Sequence, residues 1–538
     1  MNIVDVLYSL VDVNQRFDRL VLDPLTIRNL DMTIRTFESL YNQTFSIDDK
    51  ILSRISDQIL CRIYDQINTL TIEQYSMKRI LHATNYPQLY SLSLVNFEAE
   101  ILDQYLTDDS ILRDLLSKQI THLNIDIQNA YRESTIITRK IFVLILSLCE
   151  KLIELNFCDL FFERKHWNRI CLLTATTLTS STLTKLKINL TAFSECLFLV
   201  NEDFECLTTL IVHVDLIYYP ILDIDNTKKI PKLKYLSFIS PEYTDQHITQ
   251  IFPFIRRMIN LEELKLYLLI KVSDLNYVDG IQLYNELLCH MNKLNNFTFN
   301  IQTCVLRYND INLSSNEDIQ RSFIGKGIYP QINSYISIYS HIESKCHIYS
   351  LPYQFEYLLE INNSFPGGMF HTVRYLVIKD IFPLKHKFLQ IISHDIPFIE
   401  ILHIRNDRPQ EDKQNSSTEL ITFHHLKLLN LESAHTDYAE QFLLQKITYL
   451  PRLLNLYIKY ESLTIITNNF TIDTTYFNFS RVKDLDLDQS FLDSNNRRIT
   501  AIQMLSKQNG FDVDSSLFTI NNFEKYSTLV FLSTADDV

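Results

Sequence analysis

The sequence predicts an α/β fold, a curved parallel sheet with outer helices, preceded by a short N-terminal helical segment. Three observations predict it. An apolar triplet, written aliphatic, two residues, aliphatic, one residue, aliphatic, recurs along most of the chain. Amphipathic segments stand just before many of the triplets, and one wide gap interrupts the series.

The first 50 residues come before the triplets. Residues 5–20 place Leu7, Leu10, Val13, Phe17 and Leu20 on one helical stripe, so this segment reads as a helix with one apolar face.

The triplets begin at Ile67, Leu89, Ile120, Leu152, Leu183, Leu207, Leu233, Leu261, Leu294, Val373, Ile399, Leu426, Leu453 and Val482, in steps of 22 to 33 residues outside the gap. Side chains alternate faces along a strand, so the last two apolar positions of each triplet point the same way, into a core. Residues 98–119, 138–149, 278–290, 385–394 and 438–447 carry apolar residues at helical spacing, and each precedes a triplet. Pro231, Pro397 and Pro451 fall directly before a strand, where proline ends a helix. A single helix and strand cannot bury enough apolar surface to offset the entropy of ordering them. Stacking neighbours makes the core continuous and predicts a leucine-rich-repeat-like solenoid.

Three stretches depart from the pattern. Residues 305–372 skip the triplet, open on a polar segment at 312–320, and include glycines 325, 327, 367 and 368. They read as an insertion or irregular unit, with a degenerate strand at 332–338. Residues 406–419 contain no apolar side chain and read as an exposed loop, and the tail after Asp512 reads as a cap. The expected organisation is a helical segment at 1–50, a first arm at 51–304, an irregular segment at 305–372 and a second arm with its cap at 373–538.

Composition narrows function. With 50 basic and 64 acidic residues the formal charge is −14, and no basic run stands out, so neither nucleic acid nor an anionic membrane is an expected partner. Nine cysteines, irregularly spaced and without a CxxC pair, fit reduced thiols in the cytoplasm or nucleus. No secretory signal or membrane-spanning run is seen. The six glycines begin no phosphate-binding loop or nucleophile elbow, and HExxH is absent. His341, Cys346 and His347 lie close together but read as a surface loop, since tetrahedral zinc needs a fourth ligand. No catalytic residue, cofactor or metal site is expected.

Binding is expected on the outward strand positions, which curvature would line up on a concave face. The position between the last two apolar residues, and the one after the triplet, give Lys265, Tyr267, Lys379, His403, Arg405, Glu432, Tyr457, Lys459 and Asp486 as the candidate protein-binding face. Asp484, Asp486 and Asp488 alternate with Leu485 and Leu487, which reads as a solvated strand face.

The run of leucines ending in Val13, Arg16, Phe17 and Leu20 resembles the second half of an F-box. With the triplets behind it, the chain resembles F-box/leucine-rich-repeat-like proteins of a lineage-expanded branch. Residues 347–355, 365–368 and 450–456 share that likeness. The Leu-Pro opening and first helix of an F-box are missing, and the asparagine usual in leucine-rich repeats does not recur. The resemblance implies a substrate-recognition adaptor of a cullin-RING ubiquitin ligase. Leu7, Leu10, Val13, Arg16, Phe17 and Leu20 would then meet a Skp-type linker subunit, while the concave face selects an unknown protein substrate. The alternative is a scaffold or ligand-binding protein unconnected with a ligase, in which the N-terminal helix only caps the array.

Overall fold

Nearly every residue that opens a triplet is buried; only Leu294 and Val482 keep part of their surface in water. The computed structural model describes residues 3–33, 47–108, 110–127, 134–157, 179–201, 203–218, 229–273, 275–307, 313–325, 331–340, 342–410, 420–469, 471–472, 476–482 and 484–488. It is a mixed α/β structure with large, mostly parallel sheets. The chain divides into two compact units, Met1–Gln354 and Phe355–Val538.

The first unit holds a twelve-stranded sheet: β1 (Asn29–Met32), β2 (Thr69–Glu73), β3 (Ser91–Phe97), β4 (His122–Ile127), β5 (Glu154–Phe157), β6 (Lys185–Ala192), β7 (Thr209–Leu216), β8 (Tyr235–Thr244), β9 (Glu263–Ser273), β10 (Asn296–Leu306), β11 (Gln331–Ile338) and β12 (Glu343–Leu351). From β1 to β10 the strands follow chain order and pair in parallel; then β12 joins β10 antiparallel and β11 forms the edge. Register aligns like with like. Leu236 pairs with Leu264 and that with Phe297, while Phe238, Leu266 and Phe299 form the next row. All six are buried, and each contributes roughly 1.5–3 kcal/mol.

Helices cover this apolar face. Phe193, at the start of helix Phe193–Asn201, meets Phe254 of helix Phe252–Arg256 edge-on at 5.4 Å and Phe238 of β8 at 6.0 Å. The Glu195 carboxylate accepts the Thr191 and Ala192 amides at 3.0 and 3.2 Å, so the first turn of the helix reaches back to bind the end of β6 that leads into it. The single helix expected at 98–119 is instead two, Ala99–Thr107 and Ile111–Lys118. Ser110 starts the second by accepting the Arg113 amide at 3.1 Å, and a serine there favours a new N-terminus over a continuous helix.

The segment expected to be an insertion differs most from the reading of the sequence. Its polar start contains a helix, Asn316–Ser322, closed by a capping box in which Ser315 and Asp318 bond each other's backbone amides. Residues 331–351 form the antiparallel pair that ends the first sheet.

The second unit holds a six-stranded parallel sheet in chain order: β13 (Tyr357–Ile361), β14 (Tyr375–Lys379), β15 (Ile401–Arg405), β16 (Leu428–Asn430), β17 (Asn455–Lys459) and β18 (Asp484–Asp488). Its first strand lies within the gap, and a bulge hides its triplet. Leu358 pairs with Leu376, but Ile361 rather than residue 360 pairs with Ile378, because Glu360 takes a left-handed φ of 55° and adds one residue. The loop after β14 is tied by Asp380, whose carboxylate accepts the Asn363 amide at 2.9 Å, the Asn363 side chain at 2.8 Å and the Phe382 amide at 3.0 Å. Of the expected loop at 406–419, residues 411–419 lie outside the described residues, as does the expected cap after Asp512.

Candidate functional site

The N-terminal segment forms two helices rather than one: Ile3–Leu10, then Gln15–Val21. The break has a local cause. Asp12 adopts φ 66°, and the Asn14 side chain accepts the amides of Arg16 and Phe17, each at 3.0 Å, so a new helix starts there. The expected stripe is thereby split. Leu7 is fully buried, next to Val4, and Leu10 is half-buried, so Leu7 is closed to any partner. Val13, Phe17 and Leu20 are 57%, 38% and 63% exposed, and Arg16 is exposed beside them. Arg62 pairs with Asp12 at 2.8 Å and lies 3.6 Å from Asp18, tying the helix pair to the body of the first unit.

On the first sheet, outward strand positions are half-buried over the early strands. Asn124 of β4 donates to the Ser93 hydroxyl of β3 at 2.9 Å across the parallel register. Lys265 is half-buried, 3.9 Å from Glu263, with its ammonium 5.9 Å from the Tyr235 ring. Tyr267, two residues along, is 0% exposed. It cannot serve as a partner contact, because the outward side of β9, β10 and β12 is buried around it, along with Thr298, Asn300, Gln302, His347 and Tyr349.

His347 organises that buried patch. Its Nε2 stands 2.8 Å from Asn300 Oδ1 and its Nδ1 3.0 Å from the Tyr335 hydroxyl, while Tyr353 donates to the same Asn300 oxygen at 3.1 Å. The carboxamide oxygen can only accept, so Nε2 carries the proton and Nδ1 accepts from Tyr335. Burial pushes His347 down to about 3, so it is neutral and its hydrogen bonds are structural. This is a strand residue, not the surface loop that was expected. Cys346 points to the opposite, apolar side and belongs to the core, so the two cannot share a ligand; His341 lies outside the described residues. Among the described residues no group of three His, Cys, Asp or Glu side chains could hold a metal ion. Burial holds the Cys149 and Cys304 thiols up to about 12, so both stay protonated at neutral pH.

The second sheet gathers most of the expected face. Val377, His403, Asn430, Tyr457 and Asp486 stand in one lateral row, and Lys379 and Arg405 pair in the next. His403 packs against Tyr375 with ring centroids 5.1 Å apart. Lys379 bonds Glu360 at 3.0 Å, Asn430 donates to Glu432 at 3.1 Å, and Lys459 donates to the Ala434 carbonyl at 3.3 Å. Lys379, His403, Glu432, Tyr457 and Lys459 are half-buried and Arg405 is exposed; the side chain of Asp486 lies outside the described residues. The sequence reading missed the row at the opposite ends of these strands, where His371, Arg374, Phe398, His425 and Arg452 come together.

The sequence matches no protein-family model and no curated protein. Among the described residues no helix is long and apolar enough to cross a membrane.

Proposed function

We propose that this chain is a protein-binding, leucine-rich-repeat-like solenoid that works as an F-box-type substrate-recognition adaptor, without catalytic chemistry of its own, in the cytoplasm or nucleus. The observation that carries this reading is the exposure of Val13, in the turn between the N-terminal helices, and of Phe17 and Leu20 on the second of them. Apolar side chains held out on an anchored helix gain free energy when a partner covers them, at roughly 25 cal/mol per Å². In this reading Leu10, Val13, Arg16, Phe17 and Leu20 contact a Skp-type linker subunit. The outward positions Lys379, His403, Arg405, Glu432, Tyr457, Lys459 and Asp486 of the second sheet contact the protein substrate.

A second reading is favoured by the burial of Val4 and Leu7 and the packing of the first helix on β1. There the N-terminal helices only cap the first sheet, and the protein is a scaffold. Calorimetry with a purified Skp-type linker subunit separates the two. Wild type should bind, and Phe17→Asp/Leu20→Asp should bind at least tenfold more weakly with an unchanged circular dichroism spectrum. Absence of wild-type binding would sink the ligase reading and leave the scaffold.

A further inference from the structure

The starts of the second-unit strands carry a stripe that no part of the proposed function uses. Phe398, His425, Arg452 and Arg481 each stand three residues before Ile401, Leu428, Asn455 and Asp484, which pair in that order across the sheet. The register therefore lines them up. Phe398 lies 5.2 Å from the His425 ring and 5.9 Å from His371, and the Arg374 guanidinium sits 5.1 Å over the Phe398 ring. Behind them Lys427 bonds Glu400 at 2.5 Å, and Arg374 approaches the same carboxylate at 3.9 Å. Glu400 is thus already engaged. Arg452, Arg481, His371 and His424 are exposed, and Arg452 and Arg481 form no ion pair among the described residues.

We propose that this stripe is a docking site for a short acidic peptide segment lying across the strand starts of the second sheet. Its carboxylates would meet Arg452 and Arg481, and an apolar or aromatic side chain would pack on Phe398 beside Arg374. The dimensions limit the ligand. Four strands about 4.8 Å apart span roughly 14 Å, the length of about four extended residues. A long polyanion is disfavoured, because beyond this stripe it would meet a chain of formal charge −14. The site goes beyond the adaptor reading and stands whether or not a linker subunit binds.

His425, which touches Phe398 in this stripe, gives the site a pH dependence of known sign. Burial first, then the charge of Arg452, lowers the pKa of His425; His424 and Arg374 act in the same direction and Glu400 opposes them. A carboxylate arriving at Arg452 offsets the cationic contribution, so binding takes up a proton and tightens as pH falls.

Fluorescence anisotropy on the full chain tests this with a labelled Glu-Asp-Phe-Glu-Glu peptide, its Gln-Asn-Phe-Gln-Gln analogue and a single-stranded thymidine oligonucleotide. The acidic peptide should bind, more tightly at pH 6 than at pH 7.5, and the neutral analogue should not. Arg452→Glu/Arg481→Glu, at exposed positions, should weaken binding at least tenfold with an unchanged melting temperature. His425→Gln should reduce the gain at pH 6. The proposal is overturned if wild type does not bind the acidic peptide, if the charge reversals leave binding intact, or if the oligonucleotide binds as tightly.

Discussion

Mild acid should destabilise the first unit through two buried neutral histidines, by an amount that follows from their burial. His347 and His247 are each 2% exposed, and burial lowers them to about 3 and about 4 against an ordinary value of 6.5. At His247 the Asp245 carboxylate and backbone oppose the shift without cancelling it. Between the folded and unfolded values the unfolded chain binds more protons, so stability is complete above about pH 6.5 and falls as pH drops toward the folded values. At pH 5 the loss is set almost entirely by the unfolded value. About 1.5 pH units at 1.36 kcal/mol each gives about 2 kcal/mol per histidine, insensitive to the exact folded value provided it is well below 5. Urea unfolding of wild type and His347→Gln at pH 7 and pH 5 isolates one of them, because carboxylate contributions cancel in the comparison. The variant loses stability at both pH values, since Asn300 and Tyr335 lose a partner, but its further loss on acidification should be about 2 kcal/mol smaller. Equal acid sensitivity of the two proteins would refute the assignment of His347 as a buried neutral group.

Two further substitutions test packing. Leu429→Asp places an unpaired carboxylate between Leu402 and Leu456 in a fully buried row and should cost about 3–5 kcal/mol, whereas Asn430→Ser, one residue along, weakens two half-exposed hydrogen bonds, to the Glu432 carboxylate and amide, and should cost about 1 kcal/mol. Similar shifts in melting temperature would mean the register is wrong. Gly280→Ala brings a methyl group to 2.8 Å from both the Phe323 ring and the Ser322 backbone, so chemical denaturation should show a loss of about 1–3 kcal/mol. A neutral result would mean that helix Asn316–Ser322 sits farther away.

The parts of this fold that could be read in the sequence are those with strict period. Leu233, Leu236 and Phe238 announce an inward face by spacing alone, and the parallel pairing of Leu236 with Leu264 follows from aligning the triplets. A triplet lengthened by one residue is invisible to that reading, which is why Glu360 at φ 55° concealed β13. Strand direction was equally hidden, since alternation looks the same in the antiparallel β11 and β12 as in a parallel strand. At the candidate sites, alternation correctly named the outward positions but could not say which are covered. Tyr267 and Lys265 share a face of β9, yet only Lys265 keeps contact with water. The stripe of Phe398, His425, Arg452 and Arg481 was available to sequence reasoning, had the register been extended three residues upstream of the paired strand positions.

The antiparallel pair that ends the first sheet also bears on the order in which the chain assembles. β11 and β12 are separated only by residues 339–342, whereas neighbours such as β3 and β4 are joined across residues 98–121. Closing a short loop costs less entropy, and a hairpin forms in microseconds, so this pair can form before the long crossovers pay for themselves. It also leaves the ribosome after every other strand of its sheet. The strands β1 to β10, which pair in chain order, are therefore all synthesised before the one pair in this sheet that a short loop closes.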